Sequence, residues 1–176
     1  MAETLLVVVD VQNDFVTGSL GSAMAQAMLP TLVEKVRGHD GPVVFTRDTH
    51  YTDYLSTQEG RLLPVTHCVE GTWGWQIVPE LEELRKEAGW SVYDKEIFGS
   101  VRLAQDIAAM AERGEIDAVE FTGLCTDICV VSNALLARSF APQLAVYADP
   151  ACCAGTSQEN HEAALQTMRS CQVQMR

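Results

Sequence analysis

Leu5-Leu6-Val7-Val8-Val9 is the run on which the fold turns. Side chains alternate between the two faces of a strand, so an unbroken apolar run makes a strand that is apolar on both faces. Such a strand needs cover on each side, which is the situation of a central strand in a parallel sheet layered between helices. Working outward, β-rich runs alternate with helical stretches. Strands are predicted at Thr4–Val9, Pro42–Thr46, Ser91–Asp94, Ala118–Thr122, Gln143–Tyr147 and from Gln172 onward. Helices are predicted at Ala23–Arg37, Glu80–Ala88, Arg102–Glu112, Thr126–Ser139 and Gln158–Arg169, the last led by the capping pattern Thr156-Ser157-Gln158-Glu159. This alternation predicts a doubly wound α/β sheet of about six strands. The stretch from Asp48 to Pro79 is too long for a plain connection, and long structured loops at strand ends tend to carry function. With no repeat, low-complexity stretch or linker, residues 1–176 are expected to form a single domain.

Composition narrows the partners. The chain carries 24 acidic against 12 basic residues, a formal charge of −12, with 47% hydrophobic and 20% charged residues. That balance argues against nucleic acid and against an anionic membrane, both of which call for a basic surface. The first apolar run is too short for a signal peptide or a membrane span and follows Glu3, so a cytoplasmic protein is expected. Six cysteines without a CxxC pair suit buried apolar residues or a catalytic thiol better than disulfides or a zinc knuckle.

In a doubly wound sheet, ligands bind beyond the carboxyl ends of the strands. Asp10-Val11-Gln12-Asn13-Asp14-Phe15 follows the first strand, Arg47-Asp48-Thr49-His50 the second, Lys95 the third, and Gly123-Leu124-Cys125-Thr126-Asp127-Ile128-Cys129 the fourth. Taken singly, a helical cysteine is usually core, Asp10 a loop residue and Lys95 a surface cation. At one rim they form a nucleophile with its attendants. Cys129 is expected in the first turn of a helix, where free amides and the dipole favour a thiolate, and Lys95 would lower its pKa further. Asp10 is placed to act as general base and then to hand its proton to a leaving amine. The amides of Cys125 and Cys129 could hold an oxyanion. A second group, Asp48, His50, Glu59 and His67, mixes carboxylate and imidazole in a set that suits zinc, iron or manganese.

Val9-Asp10-Val11-Gln12-Asn13-Asp14-Phe15, Asp48-Thr49-His50, Asp94-Lys95 and Gly123-Leu124-Cys125-Thr126-Asp127-Ile128-Cys129-Val130 resemble the isochorismatase-like cysteine hydrolases, and among them the nicotinamidases. The similarity runs through Asp149 and His161-Glu162-Ala163-Ala164-Leu165. The resemblance implies a three-layer α/β/α fold whose six-stranded parallel sheet has the order 3-2-1-4-5-6. It implies a triad of Asp10, Lys95 and Cys129, an oxyanion hole from the amides of Cys125 and Cys129, and a non-proline cis peptide before Cys125. It implies metal ligands at Asp48, His50, His67 and Glu59, with zinc ahead of iron or manganese, a small amide as partner and a homo-oligomer. The implied reaction is thiolate attack on a carboxamide, loss of ammonia and hydrolysis of the thioester. Phe15 stands where the family has one wall of the substrate site. On the other wall, nicotinamidases place a bulky aromatic shortly before the last metal histidine, where this chain has Leu62-Leu63-Pro64-Val65-Thr66, so Leu63 is expected to line the site and Trp73 or Trp75 to compensate or to make a subunit contact. After Lys95, Glu96-Ile97-Phe98 also departs from the family's usual run.

The same triad could hydrolyse another amide, carbamoyl or ureido compound, and a non-catalytic binding homologue is a further alternative. An isochorismatase proper is disfavoured, since hydrolysis of a vinyl ether does not need the cysteine. Elsewhere, Cys152, Cys153 and Cys171 are expected to be packed, Gly18 and Gly21 to serve turns, and His161 to sit at the surface or cap the last helix.

Overall fold

The computed structural model describes residues 3–176. The alternation predicted from sequence is present as β1 (Glu3–Val9), α1 (Asn13–Val16), α2 (Ala23–Arg37), β2 (Val43–Asp48), α3 (Gln58–Leu62), α4 (Pro79–Ala88), β3 (Val92–Lys95), α5 (Val101–Glu112), β4 (Ile116–Leu124), α6 (Val131–Phe140), β5 (Ala145–Ala154), α7 (Gln158–Ser170) and β6 (Gln174–Met175). The six strands form one parallel sheet of order β3-β2-β1-β4-β5-β6, with β1 at the centre. Among the described residues no helix is long and apolar enough to cross a membrane.

The apolar run of β1 does what its composition demands. Leu5, Val7 and Val9 pack on one face with Leu103 and Ile107 of α5, Ala134 and Ala137 of α6, and Leu165 and Met168 of α7. Leu6 and Val8 pack on the other with Met28, Leu32 and Val36 of α2 and Leu81 of α4. All five β1 residues are fully buried, and each such side chain contributes about 1.5–3 kcal/mol by leaving water.

Three features depart from the sequence reading. The predicted helix Thr126–Ser139 begins with a π turn, Thr126–Val130, and α6 starts only at Val131. β5 continues well beyond Tyr147: its register against β4 advances from Ala148 to Cys153 while β4 advances only from Phe121 to Gly123. The surplus forms an irregularity around Asp149-Pro150, where a proline costs no ladder bond. The long Asp48–Pro79 segment carries its own structure, a 3₁₀ turn at Tyr54–Ser56 followed by α3, folded over the buried Tyr54 ring.

Candidate active site

Register brings the site together. Val9 at the end of β1 pairs with Gly123 near the end of β4, and Asp48 at the end of β2 pairs with Lys95 at the end of β3. Gly123 has φ +109, and a Cβ there would lie 2.2 Å from the Val9 carbonyl oxygen, so only glycine lets the two central strands close up at this point.

Asp10 turns off β1 with φ +48, a left-handed conformation uncommon for a residue with a side chain and usually kept where surroundings impose it. Its amide meets the Thr46 carbonyl at 3.2 Å, and the Thr46 hydroxyl donates to Asp10 Oδ1 at 2.6 Å. With Oδ1 engaged, Oδ2 faces Lys95 Nζ at 2.6 Å, an ion pair approached off the hydrogen-bonding direction. Lys95 Nζ also lies 3.5 Å from Cys129 Sγ and 3.5 Å from Asp48 Oδ1. Asp10, Lys95 and Cys129 are all buried.

Cys129 sits in the π turn, which follows a cis Leu124–Cys125 peptide and in which the Cys125 carbonyl accepts from the amides of Ile128 and Val130. Side chains anchor this turn on several sides. The Thr126 hydroxyl meets His161 Nδ1 at 2.8 Å. Asp127 accepts from the amide and hydroxyl of Thr156. Asn133 Nδ2 donates to the Cys129 carbonyl at 2.8 Å and to that of Phe98, while its Oδ1 accepts from the Ser100 amide. His161 is thus buried between helix and turn, neither at the surface nor capping α7 as expected, because α7 turns that polar position toward the Thr126 hydroxyl. Cys152 and Cys153 are packed as expected, but Cys171, just past the end of α7, is exposed.

The electrostatics reverse one expectation. Burial, the negative charge of Asp10 and, more weakly, that of Asp48 push the Cys129 thiol well above its ordinary pKa, and Lys95 only partly offsets them. The sequence reading weighed the cation and the helix start; it could not weigh the desolvation of a buried sulfur. The Cys129 thiol thus sits near the Asp10 carboxylate with its pKa held above the ordinary value. Burial raises Asp10 too, against the pull of Lys95, so its carboxylate is a stronger base than a solvated one. Asp10 in turn holds Lys95 charged despite its burial.

Beside these three residues, Asp48 Oδ2 lies 3.0 Å from His50 Nε2 and 3.5 Å from His67 Nε2, and Glu59 Oε1 lies 3.6 and 3.9 Å from the same two nitrogens. The Asp48, His50 and His67 donor atoms fall within 4.8 Å of one another. Tetrahedral ligands with bonds of about 2.1 Å stand about 3.4 Å apart, so the spacing fits a zinc-sized ion. His67 Nδ1–H donates to the Val65 carbonyl at 2.7 Å, which leaves Nε2 to face the cluster, as in imidazoles that bind metals. Burial alone would raise Asp48, but hydrogen bonds from both histidines and the Lys95 charge bring it below the usual carboxylate range. Gln12 fixes the strand end: its Nε2 donates to the carbonyls of Asp48 and Trp75, and its Oε1 accepts from the Asp48 amide.

Above both groups lies a cavity of about 450 Å³. Phe15 and Leu63 line it, as expected, together with Cys125, Cys129, Asp48, Glu59 and His67. Sequence reasoning missed Leu20, Phe98 and Ile128, which no local pattern marks as converging on one space. Neither tryptophan lines it. Trp75 hydrogen-bonds Thr49 with Arg47 stacked over its ring, and Trp73 is exposed.

Comparison with known proteins gives the family. The family model described as the isochorismatase domain matches residues 4–176. The chain belongs to the isochorismatase family. This isochorismatase-family chain is 32% identical to the nicotinamidase/pyrazinamidase of Mycobacterium tuberculosis, over 97% of this chain and 96% of that one. The crystal structure of the nicotinamidase/pyrazinamidase of Bacillus subtilis superposes with a TM-score of 0.84 at 26% identity, covering 98% of each chain. That of the pyrazinamidase of Pyrococcus horikoshii, solved in complex with zinc, superposes with a TM-score of 0.79 at 27% identity, covering 99% of this chain and 98% of that one. The sheet order expected from the family resemblance is the one observed.

Proposed function

We propose that this isochorismatase-family protein is an amide hydrolase that releases ammonia from a small uncharged carboxamide, converting nicotinamide to nicotinic acid through a thioester on Cys129. The observation that carries the reading is Lys95 Nζ, 2.6 Å from a buried carboxylate and 3.5 Å from a buried thiol at a cavity of small-molecule size. The nicotinamidase relatives supply the substrate class.

Each step is assigned to a group at the site. Asp10 takes the proton from Cys129 Sγ as the sulfur attacks the amide carbon, and Lys95 stabilises the charge passing between them. The amides of Cys125 and Cys129 receive the oxyanion. The C–N bond breaks as Asp10 returns the proton to nitrogen, and ammonia leaves. Water then attacks the thioester with Asp10 again as base, and the acid departs as the thiol re-forms. Asp48, His50 and His67, with Glu59 beside them, would hold a divalent metal ion, zinc foremost, which supplies a Lewis-acid anchor for a ring nitrogen. Phe15, Leu63 and Phe98 offer apolar surface to a flat ring.

Besides its thiols, the ionisable side chains on the cavity wall among the described residues are Asp48, Glu59 and His67. The proposal takes residues 1–176 as one hydrolase domain, cytoplasmic and homo-oligomeric, with small amides rather than nucleic acid or membrane as partners, which the charge of −12 supports. Ammonia release from nicotinamide, pyrazinamide and a ureido acid, compared between the wild type and Cys129→Ala, tests it. The two ring amides should be turned over by the wild type alone. Ammonia from none of the three, or equal rates in the variant, overturns it.

A further inference from the structure

Two cavities meet at the metal-binding residues. The larger is the substrate cavity, walled mainly by apolar side chains, and Asp48 and His67 face it. A second, of about 280 Å³, opens between the Tyr54–Ser56 turn with α3 on one side and the segment after β3 on the other, and His50 faces it. Among the described residues Glu59 is the one that lines both.

Their walls differ in chemistry. A hydrated dication exchanges water for oxygen ligands stepwise, and a mainly apolar passage offers it fewer of them along the way while imposing more of the cost of desolvation. The second cavity is more polar than the first: Thr49, Thr57 and Gln58 share its wall with Ile97 and the rings of Tyr51 and Tyr54, and the exposed carboxylates of Asp53 and Glu96 stand at its rim. Clefts lined by one sign of charge concentrate the opposite ion and speed its arrival. The substrate cavity, moreover, is filled whenever an amide or its acid is bound. We propose that the second cavity is the route by which the metal ion enters and leaves, with Glu59 standing between it and the substrate cavity. This rests on the reading that Asp48, His50, His67 and Glu59 hold a divalent cation.

The test uses cobalt(II) as the probe metal in full-length protein stripped by a chelator. Uptake is followed by cobalt absorbance and release by transfer to a chromogenic chelator, so neither readout depends on turnover. Gln58→Trp, which places bulk in the second cavity, should slow uptake and release by the same factor and leave the affinity unchanged. Glu96→Gln should slow uptake about tenfold at low salt and flatten its salt dependence. Filling the substrate cavity with a maleimide on its thiols, in a Cys171→Ser background, should leave both rates as they were. If that adduct blocks exchange while Gln58→Trp and Glu96→Gln do not alter it, the ion uses the substrate cavity and the inference fails. Failure of the underlying metal reading looks different: the wild type would then take up no cobalt.

Discussion

Asp48 and Lys95 end neighbouring strands in register, and Asp48 Oδ1 lies 3.5 Å from Lys95 Nζ. The cation that sits between Asp10 and Cys129 is therefore also in contact with a carboxylate of the candidate metal cluster. One buried charge joins the two halves of the site, so its removal should be felt as stability and as activity.

Lys95→Met leaves Asp10 fully buried without its countercharge. Breaking a buried pair from one side costs about 3–5 kcal/mol, unless the remaining group takes up a proton. Urea denaturation should show a loss of that order for Lys95→Met and a substantial recovery in the double variant with Asp10→Asn. Ammonia release should be abolished in both. Additive losses in the double variant would mean that the two side chains are not coupled.

Asp10→Asn should separate reactivity from catalysis. The Asp10 charge pushes the Cys129 thiol up and Lys95 pulls it down, so removing the carboxylate leaves the pull unopposed by its nearest adversary. At neutral pH the variant should lose ammonia release by about 10²–10⁴-fold, the usual worth of a general acid–base group. Yet iodoacetamide should label Cys129 faster than in the wild type, as read by peptide mass spectrometry that separates it from the exposed Cys171. Slower labelling would contradict the charge balance described here.

Metal analysis tests the second cluster and what holds it. His50→Ala should lose bound zinc, and an unchanged metal content would remove His50 from the ligands. Gln12→Leu touches no donor atom, but it strips the hydrogen bonds that fix Asp48 at both its amide and its carbonyl. Loss of partners that orient a ligand typically weakens a metal site about 10–100-fold. A competition titration against a chelator of known affinity should place Gln12→Leu in that range.

Much of this was legible in the sequence, for identifiable reasons. The run Leu5–Val9 could be read because an uninterrupted apolar strand has few homes, and Asp10, Lys95 and Cys129 because each follows a strand in a fold that binds ligands there. Thr46 and Gln12 were not, since a hydroxyl ending a strand or an amide after one looks ordinary until the neighbouring strand supplies its partner. The π turn was hidden because Thr126–Ser139 keeps a helical pattern through a change of pitch. β5 was cut short because Asp149-Pro150 carries the usual mark of a strand end, which here falls inside an irregular strand. The raised pKa of Cys129 depends on burial, a property no local window contains.

His161 provides a prediction with a definite sign. Burial lowers its pKa below the ordinary histidine value, against the opposing pull of Glu162 and Asp127, the charged groups that face it. A histidine with a depressed folded-state pKa binds fewer protons folded than unfolded, so its contribution to stability is present above the unfolded pKa, about 6.5, and is lost as pH falls through the folded value. His161→Asn places a side-chain amide where Nδ1 meets the Thr126 hydroxyl and removes the titration. The variant should be less stable than the wild type near pH 8, where neutral imidazole packs and hydrogen-bonds. The gap should narrow toward pH 5, where the wild type must either protonate a buried ring or unfold. Chemical denaturation of both proteins across this range would show it. A gap that stays constant or widens on acidification would mean that His161 does not titrate against folding.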